Sequence, residues 1–368
     1  MASNESQANS YELTLRTVYI ITFIFVITVV VIGNFVICFT IATHRRLWNY
    51  TNIMLFNYGV ATTVRVLTAG LLNFLSAWEM SNQWPFGLGL CQFSQSIGIV
   101  TVLVSAYSLV CMSYARNRII TYSLLPPPNL GHCFVSIAII WCASFAFAAP
   151  YMAHIQVLYY NYTFNGALIE IPYCLQNWDR TAIAYYFLAT SIVALIAPLI
   201  CITYFNIRMA LSLRPAKEIK NSRKKKSDHL KQQMKKMLVI IVVVFFITYF
   251  PYMIFLNLVN FNAIKTNSNS GMYLIRLVLG QATYTCSAFN VLICYRFNPH
   301  FRRAFRNFLC GLCESDAGRH LKSTISFSTS NNSQYERRRR KSRLNSSNGI
   351  KISSPDIKDI NGSKITYV

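Results

Sequence analysis

Two arginines, Arg65 and Arg276, stand inside long apolar runs that contain no Asp or Glu. A guanidinium at membrane depth costs about 2.5–3.5 kcal/mol on insertion scales, so each is expected to face other helices rather than lipid. There its planar fork suits a carboxylate, phosphate or sulfate in bidentate fashion. The plainer reading is that Arg276 reaches headgroups while Arg65 pairs with backbone carbonyls or polar groups of the last apolar run. Gln95, Tyr249, Tyr252, Asn257, Gln281 and Tyr284 add hydrogen-bonding and aromatic surface to any pocket these runs enclose. Enzyme chemistry finds no footing, because the runs hold no paired carboxylates, HExxH or nucleophile–base arrangement, and the 11 cysteines contain no pair of CxxC motifs for a metal. No cofactor is called for.

The elements that must position these residues follow from composition. Of 368 residues, 54% are hydrophobic and 13% charged, with mean hydropathy +0.35. That balance excludes a cytosolic globule and a disordered chain. Apolar windows long enough to cross ~30 Å of hydrocarbon occur at 17–43, 53–77, 90–115, 133–152, 181–207, 237–261 and 272–297. They are continuous rather than alternating, so they read as helices and not as barrel strands. The expected fold is an all-α membrane protein, a seven-transmembrane helix bundle over 17–297. Residues 1–16 form a polar N-terminal tail without a cleavable leader pattern, so the first span is expected to stay.

Charge sets the orientation. Of 35 Lys and Arg, only Arg16, Arg180 and Lys265 fall on the N-terminal side of the spans, with Arg65 and Arg276 inside them. All the others lie with the C-terminus, so the N-terminus is expected outside and the C-terminus in the cytoplasm. The formal charge of +23 is then a positive inner surface facing anionic lipid and acidic proteins, with no need of nucleic acid. Cys91 and Cys174 alone fall on the outer side, where oxidising conditions permit a disulfide. Their bond would tie the start of the third span to the loop before the fifth, making that loop a lid. The sequons at Asn4 and Asn161 lie on the same side and are expected to be glycosylated.

At this point the residues resemble a family. Trp84-Pro85-Phe86-Gly87 before Cys91, then Arg116, together with Gly33-Asn34, Trp141, Pro150, Pro198, Phe245, Pro251-Tyr252 and Asn290, resemble rhodopsin-like (class A) G protein-coupled receptors in order and spacing. The resemblance implies an outer pocket for an extracellular ligand and inner coupling to a heterotrimeric G protein through Arg116. Several family positions differ. Thr62 stands where an Asp holds sodium, Ala115-Arg116-Asn117 replaces Asp-Arg-Tyr, and Tyr249 replaces a Trp. Asn206 replaces the fifth-helix Tyr, and Asn290 to Cys294 replaces Asn-Pro-x-x-Tyr. These changes keep open an alternative, a seven-helix decoy or scavenger receptor with little G-protein output. Gly98 in place of an amine counter-ion and Tyr284 in place of a retinal-binding Lys exclude amine and light-sensing relatives. The long lid with Tyr159, Tyr160 and Tyr173 is loosely similar to neuropeptide-type receptors, so a peptide or another anionic-group ligand is the expected class.

The cytoplasmic side reads as a signalling surface. Residues 298–310 form a short amphipathic eighth helix, with Asn298-Pro299 at its start and Phe301, Phe305, Phe308 and Leu309 opposite Arg302, Arg303 and Arg306, which suits the inner leaflet. Cys310 and Cys313 beside it are palmitoylation candidates. Residues 311–368 are Ser/Asn/Arg-rich and expected to be disordered. Their hydroxyl cluster over 323–330 is a kinase target that would give an arrestin a negative segment, and Thr366-Tyr367-Val368 has the form of a PDZ-domain ligand. A multi-pass plasma-membrane location follows.

Overall fold

The computed structural model describes residues 2–72, 74, 84–122, 128–164, 167–212, 222–264 and 270–313. The kinase, arrestin and PDZ sequences of the tail lie outside these residues. The helices in chain order are α1 (Ala2–Thr43), α2 (Tyr50–Arg65), α3 (Gly87–Thr121), α4 (Leu130–Ala153), α5 (Arg180–Ser212), α6 (Ser222–Asn260), α7 (Ser270–Phe297) and α8 (Pro299–Cys313). Six of them are long and apolar enough to cross a membrane. The remaining span, α2, gains its length by continuing through a π turn at Val66–Gly70. A second π turn, Ile192–Ile196, precedes Pro198 in α5, where the missing proline N–H disturbs the regular ladder. The Tyr107 hydroxyl of α3 donates to the Val193 carbonyl in that turn, at 3.2 Å.

Helix starts are set by side chains that accept from otherwise unpaired backbone N–H groups, each worth about 1 kcal/mol. Asn49 accepts from Asn52 at 3.0 Å, Asn129 from Gly131 at 3.2 Å, and Asp179 from both Thr181 and Ala182 at 3.0 Å. Gly87 opens α3 at φ +75°, a conformation open to a residue without Cβ. The polar N-terminal tail differs from the sequence expectation in one respect. No Gly or Pro interrupts residues 2–16, and α1 runs back through them to Ala2.

α3 is the central rod, with 72% of its apolar window buried inside the protein against 17% for α4. It packs against α2, α4, α5 and α6, while α1 closes the ring against α2 and α7. The main core joins Met54, Leu103, Leu109, Met112, Ile202, Ile241 and Phe245. A separate polar tie holds α2, α3 and α4 together. Trp141 donates to the Asn57 side-chain oxygen at 2.9 Å, and the Asn57 amide donates to Ser108 at 2.9 Å.

Between α4 and α5 the lid is a β-hairpin rather than a loop. β1 (Ile155–Phe164) and β2 (Ala167–Gln176) pair antiparallel, with Val157 opposite Cys174 and Asn161 opposite Glu170. Alternating Val, Tyr and Ile favour strands. The chain divides into two units, Met1–Arg306 and Asn307–Val368, and of the second the described residues are 307–313, which complete α8.

Candidate functional site

Arg65 lies at the end of the regular part of α2 and is only 6% exposed. Its Nη1 donates to the Tyr249 hydroxyl of α6 and, at 3.5 Å, to the Thr283 carbonyl of α7, while Nη2 donates to the Thr283 hydroxyl at 2.8 Å. The guanidinium carbon lies 4.7 Å from the Tyr284 ring centroid and 5.0 Å from that of Tyr249. Gly70 makes the arrangement possible, since a Cβ there would come within 3.2 Å of the Tyr284 ring. A desolvated cation–π contact contributes about 2 kcal/mol and a hydrogen bond from a charged donor about 1.5–3 kcal/mol. Together they offset a desolvation penalty of several kcal/mol without any carboxylate. Of the two expectations for Arg65, polar groups of the last helix are what it meets in this structure.

The other expected pocket residues spread outward from this floor. Asn257 donates to the Ser191 hydroxyl of α5 at 2.7 Å and to the Met253 carbonyl at 2.8 Å, leaving its side-chain oxygen sealed without a partner among the described residues. Both amide atoms of Gln281, one turn before Tyr284 on α7, are likewise sealed and unpartnered among the described residues. Gln95 and Tyr252 are half-buried, and Arg276 is exposed. Arg65, Tyr249 and Tyr284 are thus brought together. Thr283, their fourth member, carried no local signal in the sequence.

One turn inward, Thr62 occupies the position where the family carries Asp. Its hydroxyl accepts from Asn34 at 3.1 Å and donates to the Tyr58 or Gly59 carbonyl at 3.0 and 3.1 Å. Asn290 donates to the Tyr58 hydroxyl, and Ser105 to the Thr101 carbonyl at 2.7 Å. The Asn290 side-chain oxygen is sealed and without a partner among the described residues, but these groups are all neutral, and no carboxylate stands among them to offset the dehydration of a cation. Exchanging sodium chloride for N-methylglucamine chloride is therefore expected to leave the thermal midpoint of the purified receptor unchanged; a rise specific to sodium would contradict this.

Near the C-terminal end of α3, Arg116 is half-buried, and its Nε is sealed from solvent with no hydrogen-bond partner among the described residues. Ala115 beside it is fully buried. The neighbouring ends of α3 and α5 are laced together by a set that sequence reading missed. Arg208 donates to Tyr122 at 3.0 Å and to Tyr204 at 3.2 Å, and Ser212 donates to Thr121 at 3.1 Å. In α8, Phe301 is buried while Arg302, Arg303 and Arg306 are exposed. The side chains of Phe308, Leu309, Cys310 and Cys313 lie outside the described set, as does that of Asn4.

At the opposite end, Cys91 and Cys174 form the expected disulfide, with Cα atoms 5.7 Å apart and a sequence separation of 83. A closed loop of that size contributes about 4 kcal/mol in the chain-entropy account. The bond anchors β2 to the first turn of α3, and the Trp84 backbone N–H adds a 2.8 Å bond to the Pro172 carbonyl.

Comparison with known proteins fits this geometry. Over 322 residues the chain is 25% identical to Tachykinin-like peptides receptor 86C of Drosophila melanogaster, covering 84% of this chain and 62% of that one. It is 23% identical over 205 residues to Neuropeptide FF receptor 2 of Mus musculus, covering 54% and 49%, and 28% identical over 217 residues to the RYamide receptor of Drosophila melanogaster, covering 58% and 46%. The match thus spans about half to three-fifths of the length of these curated relatives. The family model described as 7 transmembrane receptor (rhodopsin family) matches residues 33–290. Seven spanning helices, a disulfide from α3 to the hairpin between α4 and α5 and a match across most of the bundle lead to one conclusion: the chain belongs to the rhodopsin family of seven-transmembrane receptors, multi-pass proteins of the plasma membrane that are receptors rather than enzymes.

Proposed function

We propose that this chain is a receptor for an extracellular peptide, with its N-terminus outside, its C-terminus in the cytoplasm and its signal passed to heterotrimeric G proteins. The observation that carries the peptide assignment is that relatives on both sides of the comparison, insect and mammalian, are named as peptide receptors. The peptide enters beneath the disulfide-tied hairpin and contacts Gln95, Tyr252, Asn257, Arg276 and Gln281 above the Arg65–Tyr249–Tyr284 floor. Exposed Asn161 on β1 is glycosylated, and Cys310 and Cys313 are palmitoylated. The test is nucleotide exchange on purified G proteins with the full chain in lipid, with and without peptide fractions of tissue extracts. Exchange that rises with one fraction supports the reading. Peptide binding without exchange on any G protein would favour the decoy alternative.

Arg116 supplies the cytoplasmic contact. In the family a neighbouring carboxylate pairs with this Arg at rest, and Ala115 cannot. A restraint on the inactive state is then missing, and ligand-free exchange is expected to be elevated. Ala115→Asp supplies the partner that the sealed Arg116 Nε lacks and should lower the baseline; a wild type already silent, and unchanged by the substitution, would count against this role.

A further inference from the structure

We propose that Arg65 holds a small monovalent anion, a halide or a carboxylate, on the edge of its guanidinium that the bundle does not use. A guanidinium carries five N–H groups. Both hydrogens of Nη1 are matched by acceptors, the Tyr249 hydroxyl and the Thr283 carbonyl, and one hydrogen of Nη2 is matched by the Thr283 hydroxyl. Thr283 takes a bond from each terminal nitrogen and so covers the end-on edge of the fork. What remains is Nε–H and the inner Nη2–H, two parallel donors on the side-on edge, which is the geometry that receives an anion bidentately. Among the described residues nothing accepts from that edge.

Charge argues the same way. The seven apolar runs contain no Asp or Glu, so the guanidinium has no acidic partner at its own depth, and the groups around it are two tyrosine rings and a threonine. These neutral contacts soften the burial of the cation but leave its full charge in a medium of low dielectric, where one opposite charge is strongly attracted. A dianion would leave a surplus negative charge buried, which favours a monovalent ion. Where the family places a carboxylate that holds a cation, this bundle carries a cation three residues further along α2. The polarity of the inner ion site is reversed.

The same fork chemistry serves two sources, free chloride from the medium and the carboxylate of an extracellular ligand. The test uses the purified full chain in phosphatidylcholine nanodiscs and follows the thermal midpoint at constant sodium and ionic strength. Chloride, bromide and acetate are each titrated against gluconate, a bulkier organic anion. The expected result is a midpoint that rises and saturates with at least one of the three, as binding to the folded state alone requires. A rise with chloride and bromide names the free ion as the source. A rise with acetate alone names a carboxylate, and both outcomes support the site. Arg65→Gln should abolish the rise and Arg276→Gln should keep it. Should Arg65→Gln fail to fold, Thr62→Asp carries the test, because it places a carboxylate one turn inward on the same face of α2 and should remove the anion dependence by supplying the charge internally. No dependence on any of the three anions, or an undiminished rise in both Arg65→Gln and Thr62→Asp, overturns the proposal. None of these readouts involves a G protein or a peptide, so silence in nucleotide exchange leaves the anion site standing.

Discussion

Gly33→Ala is expected to lower the amount of folded receptor at the cell surface sharply. A Cβ built on Gly33 of α1 falls 2.2 Å from Cγ1, 2.7 Å from Cγ2 and 2.9 Å from Cβ of Val291 on α7. Carbon atoms in contact sit about 3.5–4.0 Å apart, and the β-branched valine in a helix has one strongly preferred rotamer, so it cannot swing aside. The two helices must separate. Overpacking of this kind costs about 1–3 kcal/mol, and 2 kcal/mol is roughly a thirtyfold shift in the folding equilibrium. Gly89→Ala and Gly131→Ala are the controls, since a Cβ at either meets nothing within 4 Å; they should be neutral or stabilise by up to about 1 kcal/mol, as Ala replaces Gly in a helix. Val291→Ala removes the two closest atoms, so in the double variant the penalties should be less than additive by at least ~0.5 kcal/mol. Additive penalties in surface staining and thermal midpoint would show that α1 and α7 do not meet at this point.

That interface illustrates how far the sequence carries. The spans were legible because bilayer hydrocarbon demands a long apolar run, and the runs at 17–43, 133–152, 181–207 and 272–297 coincide with helices. The disulfide was legible because compartment and topology left only Cys91 and Cys174. The hairpin was missed although its signal is local: Asn165-Gly166 stands between aromatic and β-branched runs, the strongest short-range sign of a two-residue turn. A search for windows of about 20 apolar residues averages away the period of two in a ten-residue strand. Gly33, by contrast, is one glycine among several in apolar runs. Its close approach to Val291 depends on a residue at the far end of the chain, and no pattern within α1 encodes it.

The site divides in the same manner. That Arg65 turns inward follows from the cost of a guanidinium against lipid, and the burial of its side chain agrees. That its partners are Tyr249 and Thr283, 184 and 218 residues away, does not follow from any spacing. Tyr249 had a pointer, since it replaces a family Trp two residues before Pro251; Thr283 had none. Arg276 is exposed near the start of α7, a placement open to either of its expectations, since a long cationic side chain there reaches polar surroundings at small cost.

Arg65→Met is expected to keep the fold while removing potency for an activating peptide by more than about tenfold, which is ~1.4 kcal/mol. Exchanging a buried ionic group for an apolar side chain of similar length is often neutral or stabilising, by about 1–4 kcal/mol, because the desolvation penalty of the charge disappears. Of the partners left behind, the buried Tyr249 hydroxyl gives up its bond from Nη1, a loss of about 1–3 kcal/mol that the relieved desolvation offsets. The Thr283 hydroxyl keeps its own 2.7 Å bond to the Gly280 carbonyl, and Tyr249 remains stacked on Phe245 at 4.3 Å between ring centroids. Arg65→Ala differs, since it opens a cavity between α2, α6 and α7, and truncations of that size in a core cost about 2–5 kcal/mol. The two variants therefore separate packing from chemistry. If Arg65 only fills space and ties three helices, methionine should restore both the thermal midpoint and the dose–response curve that alanine loses. If the guanidinium holds an anionic group, methionine should restore the midpoint and leave the curve displaced, with the halide or acetate dependence of stability lost as well. A methionine variant with wild-type potency would remove Arg65 from the site and leave it as a strut.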